Sequence, residues 1–343
     1  MASIDAQLAL PRRRFATFAA LAPGLALTAT IAGVAFGLRA IPGVATVSPM
    51  ILAVLLGVVL HNAVGAPAVA REGVAFSLRA VLRFSIILLG LQIKADQAAA
   101  LGFGGLAEIV FALLSTLAFT ILLGRALGVG RGLALLIGVG TSICGASAVL
   151  AAKVATAGYD EDAAYAVACV TVFGALAMFA YPLADSVLHL SPRSYGLWAG
   201  SSIHEIAQAV GAAFQGGGDA GQFGTIAKLT RVAMMAPVVI ALGEMTALLG
   251  LAGVGERRRP PFPWFLIGFL ALAALNSLVA IPHQIAAPVG VGATFLLSMA
   301  MAAMGLHTDL GHIRSCGLRP LALGFLASLF ISGVSLVMVR LIP

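Results

Sequence analysis

Apolar residues run along this chain in long unbroken stretches. Eleven stand out, at roughly 15–37, 46–63, 76–93, 101–123, 132–153, 162–183, 195–214, 223–249, 262–281, 286–306 and 320–340. Most approach the ~20 residues that a helix needs to cross the hydrocarbon core of a bilayer. In lipid every backbone polar group must be satisfied internally, so only helices or a closed barrel can span. Barrel strands alternate apolar and polar positions over about ten residues, and these stretches do not alternate. The pattern predicts an all-α integral membrane protein of about 11 transmembrane helices, forming one domain over residues 1–343 with short connecting loops.

Composition agrees. Of the 343 residues 61% are hydrophobic and only 10% charged, against about 25% charged in a soluble domain. The net charge of +7 has its source in loops and not in a nucleic-acid surface. With the N-terminus in the cytoplasm, Arg12, Arg13, Arg14, Arg71, Arg79, Arg125, Arg131, Arg193, Arg257, Arg258, Arg259, Arg314 and Arg319 fall on the cytoplasmic side. Arg39, Lys94 and Arg340 fall opposite, so the positive-inside rule puts the C-terminus outside. Residues 1–14 resemble the start of a signal peptide, but no clean Ala-x-Ala site closes the apolar stretch that follows, which reads as a retained helix. Cys144, Cys169 and Cys316 share no metal spacing and predict free thiols.

A weak internal likeness relates Gly138-Val139-Gly140-Thr141 to Gly290-Val291-Gly292-Ala293, about 150 residues apart. That offset maps 46–183 onto 195–340, with 15–37 as an extra N-terminal helix. Five spans per copy is an odd number, so the second copy would be inverted, as in secondary transporters whose helices are discontinuous.

Polar residues inside the spans carry the candidate chemistry, because ionisable groups at bilayer depth are costly and are functional by default. The seventh span holds Ser201, Ser202, His204, Glu205 and Gln208. Helical spacing sets Ser201 with Glu205 and His204 with Gln208. His204 and Glu205 are candidates for proton coupling; a structural His–Glu pair locking helices is the competing reading. The fifth span reads Gly138-Val139-Gly140-Thr141-Ser142-Ile143-Cys144-Gly145-Ala146-Ser147. Glycines favour a break, and a half-helix beginning near Thr141 would aim bare N–H groups at an oxyanion. Gly140, Thr141, Ser142, Cys144, Gly145 and Ser147 are therefore candidate binding residues, with close packing through small residues as the alternative. In the tenth span Gly290, Gly292 and Thr294 occupy the matching place, where packing is the simpler reading. Lys228 and Arg231 lie one turn apart in the eighth span and could attract an anion or neutralise Glu205; Lys228 could instead snorkel to the surface. Glu108 and Glu244 are candidate partners for Arg83 and Lys153.

No Walker loop, Gly-x-Ser-x-Gly elbow or His-Glu-x-x-His helix is present, so neither an enzyme nor a cofactor or metal site is expected.

The stretches Gly140-Thr141-Ser142-Ile143-Cys144-Gly145-Ala146-Ser147-Ala148 and Gly200-Ser201-Ser202-Ile203-His204-Glu205-Ile206-Ala207-Gln208 resemble those of the YeiH-like bacterial membrane proteins, a family labelled sulfate exporters. Leu88-Leu89-Gly90-Leu91 and Met304-Gly305-Leu306 extend the resemblance, which covers the chain from about residue 30. It implies a bacterial inner-membrane transporter, with sulfate or a related sulfur oxyanion as cargo and crossed, broken helices in an inverted repeat. The expected function is export of a small anion with proton coupling. A cation/proton antiporter or a proton-coupled carrier of another solute is the alternative. The partners are the anionic solute and the lipid bilayer; a homo-oligomer is compatible with the sequence.

Overall fold

A computed structural model describes residues 18–41, 44, 47–65, 67–93, 99, 101–156, 158–248, 263–279, 282–308 and 317–341. The expectations for Arg12, Arg13, Arg14, Lys94, Arg257, Arg258, Arg259, Arg314 and Cys316 lie outside the described residues.

The described chain is helical. It comprises α1 (Phe18–Leu38), α2 (Pro49–Val64), α3 (Ala68–Gln92, with a π segment at Ser77–Val81), α4 (Gly102–Ala126), α5 (Arg131–Ser142), α6 (Ala146–Thr156) and α7 (Asp160–Leu188). There follow α8 (Pro192–Ser202), α9 (Ile206–Gln215), α10 (Gly218–Ala233), α11 (Met235–Leu248), α12 (Trp264–Leu278), α13 (His283–His307) and α14 (Leu318–Leu341). Among the described residues seven helical rods are long and apolar enough to cross a membrane: α1, α3, α4, α7, α10–α11, α13 and α14. Their outer faces expose large apolar side chains such as Phe103, Leu183 and Leu329, which water would not tolerate in a patch of this extent.

The fifth and seventh expected spans do not run straight. A Cβ on Gly132 would lie 3.0 Å from Asp162 Oδ2, and one on Gly140 would lie 2.8 Å from Val170 Cγ1. Equal steps along α5 and α7 make these helices parallel, so the intervening α6 must bring the chain back. The second case is alike. A Cβ on Gly196 would meet the Ala220 carbonyl at 2.2 Å and one on Gly200 the Gly224 carbonyl at 2.3 Å, so α8 is parallel to α10. Helix α9 returns, and the Tyr195 hydroxyl at the start of α8 donates to the Ala212 carbonyl near the end of α9 at 2.9 Å. Each segment is thus a helical hairpin. Their helices of 10 to 12 residues, at 1.5 Å per residue, reach only about 15–18 Å, half of a bilayer core. The tenth expected span behaves differently: α13 is continuous through Gly290 and Gly292, and the Thr294 hydroxyl bonds the Gly290 carbonyl at 3.0 Å within the helix.

The hairpins enter from opposite ends. The open end of the second lies beside the start of α10, where a Cβ on Gly216 would lie 3.2 Å from Ala220 Cβ. The open end of the first lies beside α11, where a Cβ on Gly243 would sit 3.0 Å from the Ala155 carbonyl. Residues 220 and 243 are separated by about 35 Å of helix, and both hairpin tips meet α10 between them.

Contacts divide the helices into two groups. One comprises α4 to α11 with α14 and carries both hairpins; the other comprises α1, α2, α3, α12 and α13. Within each group backbones approach through glycine. Gly24 packs on the Ala70–Val74 backbone, Gly57 and Gly305 bring α2 onto α13, and Gly196 and Gly200 seat α8 on α10. Small residues permit such approach where lipid offers no hydrophobic drive between helices.

Candidate functional site

The two hairpin tips, Ile143-Cys144-Gly145 and Ile203-His204-Glu205, face each other in the middle of the first group. Every hairpin tip leaves helix-end carbonyls on one side and helix-start N–H groups on the other without intrahelical partners. Here carbonyls of both tips, and one N–H of the first tip, are met by ionisable side chains.

The carbonyl ends are held by α10. Arg231 donates from Nη2 to the Thr141 carbonyl at 2.7 Å and from Nε to the Ser142 carbonyl at 3.0 Å. Its Nη1 reaches the second tip, bonding the carbonyls of Gly200 at 3.2 Å and Ile203 at 3.0 Å. Lys228 Nζ donates to the carbonyls of Ile143 at 3.0 Å and Ile203 at 2.7 Å, and to that of His204. Both cations are fully buried. Lys228 therefore does not snorkel; its three ammonium protons are all spent on carbonyls. The cations compensate the negative ends of α5 and α8, and this arrangement pins one tip to the other.

The N–H ends meet Glu205. It is the residue preceding α9, and its Oε1 accepts the Ala146 N–H, the first of α6, at 2.6 Å. The carboxylate thus caps the start of α6, while it makes no side-chain bond to the N–H groups of its own helix α9. Gly145 makes room for it: its φ of 74° is left-handed, and a Cβ there would lie 2.2 Å from Glu205 Oε1. Glu205 and Ala146 are half-buried and Ser147 is exposed, so this corner of the site opens outward while the cation corner is sealed.

A buried polar shell surrounds the tips. His204 Nε2 lies 2.9 Å from the Ser328 hydroxyl, and Gln208 Nε2 donates to the Thr171 carbonyl at 3.1 Å. Ser201 Oγ lies 2.6 Å from the Leu197 carbonyl and also contacts the Ser335 hydroxyl, which in turn lies 2.6 Å from Glu108 Oε1. Ser202 bonds the Trp198 carbonyl and lies 2.8 Å from the Tyr181 hydroxyl; the Tyr181 ring stacks on Trp198 at 3.9 Å. Within this shell Thr141 Oγ1, Ser142 Oγ, His204 Nδ1, Gln208 Oε1 and Glu108 Oε2 are buried without a hydrogen-bond partner. Such groups are rare in native proteins and each calls for an explanation.

The structure brings together Gly140, Thr141, Ser142, Gly145, Ser201, Ser202, His204, Glu205, Gln208, Lys228 and Arg231. Cys144 turns away, its Sγ 3.8 Å from Met235 Sδ, and Ser147 lies on the exposed face of α6. One placement differs in kind. Thr141 and Ser142 end a helix instead of starting one, so they contribute carbonyls to the tip; the half-helix with bare N–H groups starts at Ala146. The break falls at Gly145, the glycine with left-handed φ, and not at Gly138 or Gly140, which stay helical. Glu108 belongs to the site and not to Arg83 or Lys153; Lys153 pairs with Asp160. Ser328, Ser335 and Tyr181 were not anticipated, although Ser328 and Ser335 are seven residues apart on one helical face. Nor was the second break, although Gly200-Ser201-Ser202-Ile203 echoes Gly140-Thr141-Ser142-Ile143 at a spacing of sixty residues, from 140 to 200.

The profile of the family described as conserved hypothetical protein 698 matches residues 23–324. The chain is 39% identical to the UPF0324 inner membrane protein YeiH of Salmonella typhi over 321 residues, covering 91% of this chain and 92% of the relative. It is 38% identical to YeiH of Escherichia coli K12 over 321 residues, with the same coverage of 91% and 92%. A UPF0324 membrane protein of Pseudomonas putida is 37% identical over 318 residues, 90% of each chain. No solved structure matches. Relatives of this kind, together with the long apolar helices, establish a multi-pass membrane protein. The chain belongs to the conserved hypothetical protein 698 family, the UPF0324 membrane proteins that include YeiH.

Proposed function

We propose that the protein is a secondary transporter, a carrier and not a catalyst, that moves a small anion out of the cell across the inner membrane. The observation that carries this reading is the Glu205 carboxylate seated on the Ala146 N–H between two hairpin tips. A seat that holds a tethered carboxylate suits a free oxyanion of similar size, because helix N-termini attract anions through N–H groups and dipole together. A sulfur oxyanion is the cargo we favour. Glu205 vacates the seat by rotating or by taking a proton, and cargo then binds there. The orphan hydroxyls of Thr141 and Ser142 and the Gln208 amide oxygen belong to the same polar centre, and His204 is a second proton-bearing group beside it. Lys228 and Arg231 act by holding the tips and by setting a positive background.

In the proposed topology α5–α6 and α8–α9 are re-entrant, and nine crossings replace eleven. Helices α1, α2, α3, α4, α7, α10–α11, α12, α13 and α14 cross; the N-terminus is cytoplasmic and the C-terminus outside. This keeps Arg71, Arg125, Arg131 and Arg319 in the cytoplasm and moves Arg193 out. The inverted repeat is then a hairpin followed by one crossing, 131–188 against 192–248. One crossing per unit is odd, so the units invert, and the Gly-Thr-Ser-Ile and Gly-Ser-Ser-Ile tips fall in register.

The test is uptake of labelled sulfate and sulfite into proteoliposomes under an imposed anion gradient. Transport saturating with anion and lost in Gly145→Leu supports the reading. Sodium- or potassium-driven proton movement without anion flux would replace it with a cation/proton antiporter.

A further inference from the structure

We infer that the hairpin-bearing group of helices slides as one rigid body along the other group, and that the seam runs between α9 on one side and α2 and α13 on the other. Three observations carry this. First, contact between the two groups is concentrated at α9 against α13 and α2, whereas the helices inside each group touch along much of their length. Second, the chemistry of the contacts differs. Inside the groups, glycines let backbones interlock, as where a Cβ on Gly305 would lie 2.3 Å from the Val54 carbonyl or one on Gly200 2.3 Å from the Gly224 carbonyl. Such surfaces cannot shift by a turn without clashes. Across the seam, a Cβ on Gly211 would lie 3.7 Å from Met50 Cβ and 3.8 Å from Met301 Cε, ordinary van der Waals distances to flexible, adaptable side chains. Third, the seam is incompletely packed. A cavity of about 290 Å³ lies along it, lined by Ser48, Met50 and Thr294 from one group and Phe214 and Gln215 from the other. The Ser48 N–H bonds Gln215 Oε1 there at 2.5 Å.

The chain passes between the groups at 93–101, 249–263 and 308–317, so each group is assembled from separated stretches and can move as a unit. Both hairpins lie in one group, and Lys228 and Arg231 bind both tips; the site therefore travels intact. This goes beyond the proposed transport reading, because it fixes what moves whether or not the cargo is an anion. Rocking of hairpin against hairpin would instead break either the three carbonyl bonds that Lys228 and Arg231 make to the first tip or the four they make to the second.

Pulsed electron–electron resonance on the full chain in nanodiscs tests the inference without a ligand. All three native cysteines are replaced by alanine. One spin-label pair spans the groups, at Val59 of α2 and Val187 of α7, both exposed. A control pair, Leu122 of α4 and Val187, lies within the hairpin group. The expected result is two populations, or one broad population, for the spanning pair and a single narrow one for the control. A disulfide then locks the seam. A Cβ at 211 would lie 3.7 Å from Met50 Cβ, matching the ~3.8 Å of a disulfide, so Met50→Cys with Gly211→Cys, oxidised before labelling, should narrow the spanning distance, and Met50→Ser with Gly211→Ser, which cannot cross-link, should leave it broad. A spanning pair as narrow as the control before cross-linking overturns the inference, as does a control pair that broadens equally.

Discussion

The Ala146 N–H donates to Glu205 Oε1 at 2.6 Å, joining the first residue of one hairpin's returning helix to the residue that precedes the other's. Among the described residues this is the one hydrogen bond that joins the two tips without passing through α10, and it makes Glu205 both a structural cap and the occupant of an anion seat. The described ion pairs include none between Glu205 and Lys228. The cations answer helix C-termini and the carboxylate answers the N-terminus of α6, each interaction worth about 0.3–2 kcal/mol. Such a bond is weak enough to break during a transport cycle. A buried ion pair broken by loss of one partner costs ~3–5 kcal/mol and would resist that.

Glu205→Gln keeps the shape and removes the charge. We expect transport of anion to lose its dependence on pH while the protein remains folded, since the amide oxygen can still accept from Ala146. The measurement is initial flux at several pH values in proteoliposomes. A pH profile identical to that of the native protein would assign coupling to another group, with His204 next in line.

Gly145→Ala combines two penalties. Left-handed backbone costs roughly 1–2 kcal/mol for a residue with a Cβ, and the new methyl would lie 2.2 Å from Glu205 Oε1. Gly102 has φ 62° with nothing within 4 Å of its absent Cβ, so Gly102→Ala carries the backbone penalty alone. Both variants should lose thermal stability from backbone strain, Gly145→Ala by more because of the added clash, but only Gly145→Ala should lose transport. Equal transport in the two would show that the Glu205 seat is dispensable.

Arg231→Lys removes the fork that reaches four carbonyls across both tips. A lysine ammonium has three donors and a compact head, so at least one buried carbonyl loses its partner at about 1–3 kcal/mol. The expected outcome is a clear fall in melting temperature in detergent and partial retention of flux. Arg231→Met should be worse on both counts.

The glycine seats give a pure stability test. Gly200→Ala drives a Cβ to 2.3 Å from the Gly224 carbonyl and should destabilise by several kcal/mol, because backbone cannot step aside. Gly33, in the body of α1, has nothing within 4 Å, and Gly33→Ala should stabilise by about 0.5–1 kcal/mol. Thermal denaturation in detergent separates them by sign.

Much of this molecule was legible in its sequence. Long apolar runs gave α4, α7 and α14 nearly to their ends, and the polar residues of the fifth, seventh and eighth runs do converge. The hairpins were not legible from hydropathy, because an apolar run of about 20 residues reads alike whether it crosses or folds back; burial in protein and burial in lipid select the same side chains. Their cue was chemical. Gly145 and Glu205 interrupt their runs at the midpoint, and the four-residue likeness of the two tips marks the pair. Ser328 and Ser335 were hidden for another reason: scattered serines in an apolar helix are cheap when they bond their own backbone, as Ser328 does to Gly324 at 2.7 Å, so spacing alone does not single them out.

The most direct measurement is a high-resolution cryo-EM map of the protein in nanodiscs with saturating sulfite, compared with one collected without it. The account predicts new density within hydrogen-bonding distance of the Ala146 N–H, with the Glu205 side chain rotated away and Arg231 still on the Thr141 and Ser142 carbonyls. Sulfite bound elsewhere while Glu205 keeps its bond to Ala146 would contradict it.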